Sequence, residues 1–106
     1  MKRQAMTDGS GSWFDIDNSE CFDESSDWNG SNNISRATGS QTEHEQLYRT
    51  KSKKWVLNSW SNWQGTTETW EIVSDGHAAK WLAHNEYMDD DRVKNLFQKE
   101  FAELEL

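Results

Sequence analysis

Hydrophobic and polar residues alternate along residues 42–73, and a period of two is typical of β-strands with one buried face. The alternation is carried mainly by aromatic and β-branched residues, which favour strands. It is broken by a lysine-rich segment at 51–54 and by a segment at 62–65, both of which have turn composition. The pattern therefore predicts three antiparallel strands joined by short turns, with runs at 44–49, 55–60 and 68–73.

After residue 73 the hydrophobic spacing changes to three and four residues, which is typical of amphipathic helices. Ser74 or Asp75 is the predicted N-cap of a helix that covers about 76–86. A second helix is predicted to begin at the aspartates of 89–91, because negative charge suits a helix N-terminus. Its apolar face would consist of Val93, Leu96, Phe97, Phe101 and Leu104.

Together these elements predict an α+β fold: an antiparallel meander of three or four strands packed on one face by the two C-terminal helices. Only 33% of the residues are apolar, so the core is small, but the seven Trp add large buried areas to it. We expect one buried cluster made of Trp55, Leu57, Trp70, Ile72, Leu82, Leu96, Phe97 and Phe101.

The N-terminal part of the chain is polar. Residues 1–12 have nothing to bury, which predicts a disordered tail ahead of a single domain at 13–106. Residues 28–41 are also poor in apolar side chains and contain an Asn-Gly turn signal. We expect this segment to be a long ordered loop pinned by Trp28 and Ile34.

The formal net charge of −8 and the pI of about 4.7 disfavour direct binding to nucleic acid or to an anionic membrane, because both are polyanions. An acidic chain suits a basic protein partner, although acidity can equally serve solubility. No apolar run approaches the roughly 20 residues of a membrane span, and Lys2 and Arg3 are not followed by a secretory segment. The expected compartment is the cytoplasm.

No group of residues in the sequence predicts an enzyme, a cofactor or a metal site. Cys21 is the only cysteine and has no basic neighbour, which predicts an inert thiol. His77 and His84 lie two helical turns apart, too far for paired metal ligation. The segment that begins at Asp15 lacks the glycine and the glutamate of a calcium loop. We therefore expect no catalytic residue, no cofactor and no bound metal.

Charge is distributed unevenly along the chain. Residues 13–45 hold eight acids and one base, whereas 46–58 hold four bases and no acid. This asymmetry predicts an acidic face that docks on a basic protein with an exposed Trp as an anchor, and a merely solvated surface is the alternative. The predicted partner-binding residues are Asp15, Asp17, Glu20, Asp23, Glu24, Asp27, Trp63, Asp89, Asp90 and Asp91.

The sequence words LYRT, WVLNSW, NWQG and HAAKWLAHN, preceded by ISRATGSQTEHE, resemble a small family of uncharacterised bacterial and phage proteins. The resemblance covers about residues 13–88 and implies a bacterial or phage origin and a compact domain. It transfers no functional residue. In size and charge alone the chain is also similar to anti-CRISPR, anti-restriction, antitoxin and toxin-immunity proteins.

We therefore expect a small, acidic, non-enzymatic binding protein, an inhibitor that docks on a basic nucleic-acid-handling protein such as a nuclease, as a nucleic-acid mimic would. Two alternatives stay open. One is a small enzyme or ligand-binding domain that uses the polar loop at 28–45. The other is a structural subunit of an oligomer. The sequence leaves the partner, the host and the oligomeric state open.

Overall fold

The computed structural model describes residues 1–63, 65 and 67–106. The fold is mixed α+β, with antiparallel sheets and two helices, which confirms the predicted class. No helix among the described residues is both long and apolar enough to cross a bilayer. The elements are β1 (Arg3–Ala5), β2 (Trp13–Asp15), a 3-10 turn (Ile16–Asn18), β3 (Glu20–Asp23), β4 (Ser26–Trp28), β5 (Asn33–Ser35), β6 (Glu43–Arg49), β7 (Trp55–Ser61), β8 (Thr69–Val73), α1 (Asp75–His84) and α2 (Gln98–Glu103).

Four strands form the main sheet in the order β3–β6–β7–β8, and each neighbouring pair is antiparallel. The three predicted strand runs correspond to β6, β7 and β8. Strand β3 adds a fourth, in which Phe22 lies opposite Leu47 and both side chains are buried. The predicted turn at 62–65 lies partly outside the described residues, because Gln64 is not among them.

Two hydrophobic clusters share the sheet. The helix-side cluster combines strand residues with residues from α1, α2 and the segment between them: Phe22, Leu47, Trp55, Leu57, Ala78, Ala79, Trp81, Leu82, Val93, Phe97 and Phe101. The hairpin-side cluster takes alternate residues of the same strands together with N-terminal residues: Phe14, Tyr48, Val56 and Trp70, with Met6 and Ile16 packed against them.

The predicted single core is wrong in three of its members. Asn58 lies opposite Trp70 and Val56 lies opposite Ile72, and paired residues in a sheet point to the same face. Trp70 therefore belongs to the hairpin-side cluster with Val56, and Ile72 shares that face but is 46% exposed. Leu96 is 44% exposed and lies outside both clusters.

The two helices differ in how closely they match the sequence pattern. Helix α1 begins where it was predicted, because the Ser74 hydroxyl accepts a hydrogen bond from the backbone N–H of His77. Helix α2 is much shorter than predicted and begins only at Gln98. The preceding residues 91–97 form successive turns, which bring Val93 and Phe97 into the helix-side cluster without a continuous helix.

The N-terminal segment is structured, which differs from the disordered tail that the sequence predicts. Strand β1 pairs with β2, and the connection between them reaches the outer edge of β8. There the Thr7 N–H donates to the Trp70 carbonyl at 2.8 Å, and the Thr7 hydroxyl accepts from the Trp70 N–H at 2.7 Å. The Asp8 carboxylate accepts from the Ile72 N–H at 3.3 Å. Hydrogen bonds to the backbone of β8 thus order a segment whose side chains give little hydrophobic signal.

The predicted loop at 28–41 contains the second strand of a small hairpin, in which β5 pairs with β4. Trp28 does not pin this segment, since its side chain is 65% exposed. The hairpin is instead fastened at its base by Ser25, whose N–H donates to the Asn85 side-chain oxygen at 2.9 Å and whose hydroxyl donates to the Asn85 carbonyl at 2.6 Å. Asn85 is buried, so these bonds are shielded from water.

Candidate acidic edge and Glu45 cavity

Arg92 joins the acidic segment after α1 to the outer edge of β3. Its guanidinium pairs with the Asp90 carboxylate at 2.8 Å and donates to the Cys21 carbonyl at 3.3 Å. It also lies over the Phe22 ring, 4.1 Å from the ring centroid. Nearby, the Tyr87 hydroxyl donates to the Asp23 carbonyl at 2.7 Å. The two side chains therefore cover carbonyl groups on the side of β3 that faces away from β6.

This arrangement brings together predicted binding residues from two distant parts of the chain. We call the group the acidic edge. It holds five carboxylates and two cations, Arg92 and Lys94, so negative charge is in excess. The hydrogen bond that Arg92 donates to Asp90 and, more weakly, the charge of Glu20 raise the pKa of Arg92, which places Glu20 within electrostatic reach of this segment. The carboxylates of the acidic edge are Glu20, Asp23, Asp89, Asp90 and Asp91.

The members of the acidic edge are not equivalent. Asp90 accepts hydrogen bonds from both the backbone and the side chain of Arg92, and the side-chain bond lowers the pKa of its carboxyl group. Asp90 is therefore a positioning residue for Arg92. Asp91 forms a 3.0 Å ion pair with Lys94, but its side chain is almost fully exposed, so the pair contributes little to stability.

Other predicted binding residues lie elsewhere and take part in local structure. The Asp15 carboxylate accepts from the N–H groups of Lys2 and Asp17 at the start of the 3-10 turn. Asp17 is exposed on that turn. Asp27 pairs with Arg36 at 2.9 Å, and Arg36 also pairs with a glutamate of the α1 C-terminal turn at 3.0 Å. These contacts hold the small hairpin.

Glu24 is the predicted binding residue that is most withdrawn from solvent. Its carboxylate accepts from the Ser35 hydroxyl at 2.6 Å and from the Glu45 N–H at 2.8 Å, and it lies 2.5 Å from Nδ1 of His44. The Asn62 side-chain amide lies 3.1 Å from Nε2 of the same imidazole. When the Asn62 amide donates to Nε2, the His44 proton lies on Nδ1, and this N–H donates a hydrogen bond to the Glu24 carboxylate. Glu24 thus links β5 to β6 through hydrogen bonds that are largely shielded from solvent.

Trp63 is exposed, as the sequence predicted, with 67% of its side chain accessible. Its indole N–H donates to the Thr42 hydroxyl at 3.1 Å, which fixes the ring at the start of β6. The acidic edge lies toward the other end of that strand, where Glu20 is opposite Arg49. Seven residues of strand correspond to roughly 23 Å, so Trp63 and Glu20 belong to different regions of the surface.

A second candidate site, which the sequence reasoning missed, is built around Glu45. Glu45 forms a wall shared by two cavities, one of about 330 Å³ that reaches the ends of β6, β7 and β8, and one of about 580 Å³ beside α1. Its carboxylate accepts from the Trp81 indole N–H at 3.1 Å. Burial raises the pKa of Glu45, and this effect outweighs the opposing hydrogen bond from Trp81.

The signal for this site is present in the sequence but is weak. Glu45 alternates with Leu47, so it had to point toward the same face as the helix-side cluster. What no local pattern indicates is that Trp81, 36 residues away, supplies its hydrogen bond. A charged residue in register with core residues is the observation that could have identified it.

Among the described residues, no group of three or more His, Cys, Asp or Glu side chains is arranged to hold a metal ion. Comparisons with protein-family models, with curated proteins and with solved structures give no match. The function therefore has to be argued from the acidic edge and the Glu45 cavity themselves.

Proposed function

We propose that this protein is a small, acidic, non-enzymatic binding protein of the cytoplasm that inhibits a basic, nucleic-acid-handling protein by docking on its nucleic-acid-binding surface. The single observation that carries the proposal is the acidic edge, where Arg92 holds the 89–91 segment against β3. Five carboxylates are presented there by a fixed backbone, on a chain with a net charge of −8. A preorganised negative surface attracts basic proteins over long range.

We propose as the scaffold an antiparallel meander packed on one face by the two C-terminal helices. The strand order and the composition of the helix-side cluster support this arrangement. Its value for binding lies in rigidity, because β3 is hydrogen-bonded to β6 on one side and covered by Arg92 and Tyr87 on the other. The carboxylates of β3 are therefore ordered before a partner arrives, which lowers the entropy cost of association.

The proposal is tested by capturing partners from the native host and identifying them by mass spectrometry, and then measuring association rates with the captured protein. The informative variant combines Glu20→Gln, Asp89→Asn and Asp91→Asn, which leaves Asp90 in place to position Arg92. We expect association about tenfold slower at low salt, with a weaker dependence on ionic strength, because rim charges mainly steer encounter.

The matched control combines Glu71→Gln, Glu103→Gln and Glu105→Gln, which removes the same charge from exposed positions outside the acidic edge. It should retain nearly the full association rate. Equal slowing by both triple variants would mean that total charge, and not the acidic edge, controls association. A captured partner that still binds nucleic acid when this protein is present in excess would contradict the inhibitory role.

A second candidate function, a ligand-binding or enzymatic role for the loop at 28–45, is favoured by one observation. Thr38 and residues 43–45 line the smaller Glu45 cavity, and the half-buried Glu45 carboxyl group belongs to its lining. Binding of a small molecule in the absence of any protein partner distinguishes this candidate from the first.

A further inference from the structure

The tip of the small hairpin formed by β4 and β5 is an exposed turn at residues 29–32. The Asn29 N–H donates to the Asn32 carbonyl at 3.1 Å and closes the turn. The Asn29 side-chain oxygen accepts from the N–H groups of Ser31 and Asn32 at 2.9 and 2.8 Å. Gly30 has a φ of +98°, which side chains other than glycine rarely adopt. The Asn29 side chain is therefore held against the backbone that follows it.

Asn29 is the only one of the eight asparagines that precedes a glycine. A glycine nitrogen is the least hindered backbone nucleophile, because no Cβ stands beside it. Around the position that a Cβ would take at Gly30, no heavy atom beyond the neighbouring residues lies within 4 Å. No described residue accepts a hydrogen bond from the Gly30 N–H, so a base in solvent can remove its proton. The nucleophile and the side-chain amide belong to adjacent residues, which gives their reaction a high effective concentration.

The two hydrogen bonds to the Asn29 side-chain oxygen favour attack on its amide carbon. When a nitrogen adds to this carbon, negative charge develops on the oxygen, and the N–H groups of Ser31 and Asn32 are in place to stabilise it. Preorganised N–H donors act in the same way on the tetrahedral intermediates of enzymatic acyl transfer. The turn thus combines an unhindered nucleophile, an activated carbonyl group and access to water.

We propose that Asn29 is a site of spontaneous covalent modification, at which the turn converts itself to aspartate and isoaspartate. The Gly30 nitrogen loses its proton to a base in solvent and bonds to the Asn29 amide carbon, the bond from that carbon to the side-chain nitrogen breaks, and ammonia leaves. Water then opens the five-membered imide. Addition at the side-chain carbonyl gives aspartate, and addition at the main-chain carbonyl gives isoaspartate. The reaction needs no partner and does not depend on the acidic edge.

The two products change the hairpin in different ways. Aspartate keeps an acceptor for the two N–H groups of the turn and adds a negative charge at its tip. Isoaspartate lengthens the backbone by one carbon atom, which disturbs the register that places Trp28 opposite Asn33. The base of the hairpin is fastened separately by the bonds between Ser25 and Asn85, so the main sheet keeps its fold. The change is therefore local to the hairpin and its exposed Trp28.

The test incubates the full chain at about pH 8 and about 37 °C and follows the tryptic peptide 4–36 by mass spectrometry, with a sample from time zero as the reference. We expect a gain of about 1 Da at Asn29 over days, with isoaspartate present as well as aspartate. Asn32 and Asn33 lie in the same peptide, precede residues other than glycine, and should stay unchanged. The rate should rise with pH, because the attacking nitrogen must lose its proton.

Gly30→Ala is the matched variant and should slow the reaction about tenfold or more, because its Cβ hinders the nitrogen. Since alanine is strained at a positive φ, the same change is also made in a synthetic peptide of residues 26–35, where no fold can be disturbed.

The intact protein should react within about threefold of the rate of the unchanged peptide, because the turn activates the carbonyl group instead of shielding it. A protein that reacts about tenfold more slowly than the peptide would mean that the turn protects Asn29, and would overturn the proposal. Absence of the mass gain at Asn29, an equal gain at Asn32 or Asn33, or no slowing by Gly30→Ala in either protein or peptide would overturn it as well.

Discussion

The two faces of the main sheet are covered in different ways. The helix-side cluster has eleven buried residues, most of them from segments whose hydrophobic spacing is visible in the sequence. The hairpin-side cluster has four, and its cover comes from an N-terminal segment that shows no such spacing. The same strands, with their alternating side chains, serve both faces. The comparison shows that a polar segment can complete a core if its backbone has hydrogen bonds to make.

The segments that cover the two faces of the main sheet also close its two edges. On the hairpin side, Thr7 and Asp8 satisfy backbone groups of β8. On the helix side, Arg92 and Tyr87 satisfy carbonyls of β3. An open edge invites pairing with other chains, so closing both edges protects the sheet against aggregation. Thus each cover buries one face and closes one edge.

The largest expected effect contrasts one phenylalanine from each face. Phe22→Ala should cost about 4–5 kcal/mol of unfolding free energy, because Phe22 is fully buried among many fixed neighbours. Phe14→Ala should cost about 3 kcal/mol, since the smaller cluster can collapse around the cavity more easily. Chemical denaturation measures both. A larger loss for Phe14→Ala would reverse the order of the two faces.

A second contrast lies within the helix side. Phe97→Ala should cost about 3 kcal/mol, because the ring is buried and packs on Trp55 at a centroid distance of 5.5 Å. Leu96→Ala, at an exposed neighbouring position, should cost less than about 1 kcal/mol. The sequence pattern predicted that both residues are in the core. Similar losses for the two variants would support the continuous helix that the pattern predicted and contradict the exposed position of Leu96.

Strands β6, β7 and β8 and helix α1 could be predicted because their signals are local: alternation, turn composition and a capping serine. The face assignment of Trp70 could not, since it depends on the register between β7 and β8 across the 62–65 turn. A shift of pairing by one residue sends every side chain of a strand to the other face. The cover formed by residues 1–12 is attached mainly by hydrogen bonds to the backbone of β8, and such bonds leave no trace in the hydrophobic pattern.

The candidate sites show the same division. The sequence predicted one negative face made of the acids at 15–27 and 89–91, and the structure brings the 89–91 segment next to β3 but places Asp15, Asp17, Glu24 and Asp27 in other local contacts. The sequence could not show that Asp90 accepts hydrogen bonds from Arg92, or that Glu24 is hydrogen-bonded to His44, 20 residues away. The Glu45 cavity likewise depends on Trp81. Long-range polar contacts are decided by the fold and have no periodicity of their own.

A smaller effect contrasts the two edges. Thr7→Val keeps the shape of the side chain but removes the hydroxyl that bonds both polar backbone groups of Trp70, so it should cost about 1–2 kcal/mol. Arg92→Lys keeps the charge but loses the forked contact with Asp90 and should cost about 1 kcal/mol or less, because this site is more exposed. Unfolding in urea measures both, and Thr7→Ser serves as the control that retains the hydroxyl. No loss for Thr7→Val would mean that the N-terminal cover is not part of the cooperative unit.

The smallest effect concerns pH, where the two faces should respond with opposite signs. On the hairpin side, hydrogen bonds from Ser10 and then from Ile72 lower the pKa of Asp8 below its ordinary value of 3.8. A lowered pKa in the folded state contributes stability above pH 3.8, and this is lost as the pH falls through the folded pKa. Asp8→Asn should therefore become less stable relative to the parent protein as the pH rises from about 3 to about 5.

On the helix side, burial raises the pKa of Glu45 above its ordinary value of 4.5. A raised pKa contributes stability that is fully present below pH 4.5 and is lost as the pH rises through the folded pKa. Glu45→Gln does not titrate and keeps an acceptor for Trp81, so it should become more stable relative to the parent protein as the pH rises from about 3 to about 7. Urea midpoints of the parent and both variants across this range measure the two trends. Parallel trends for Asp8→Asn and Glu45→Gln would mean that general charge repulsion outweighs the local environments, because only a local origin makes the two carboxylates move stability in opposite directions.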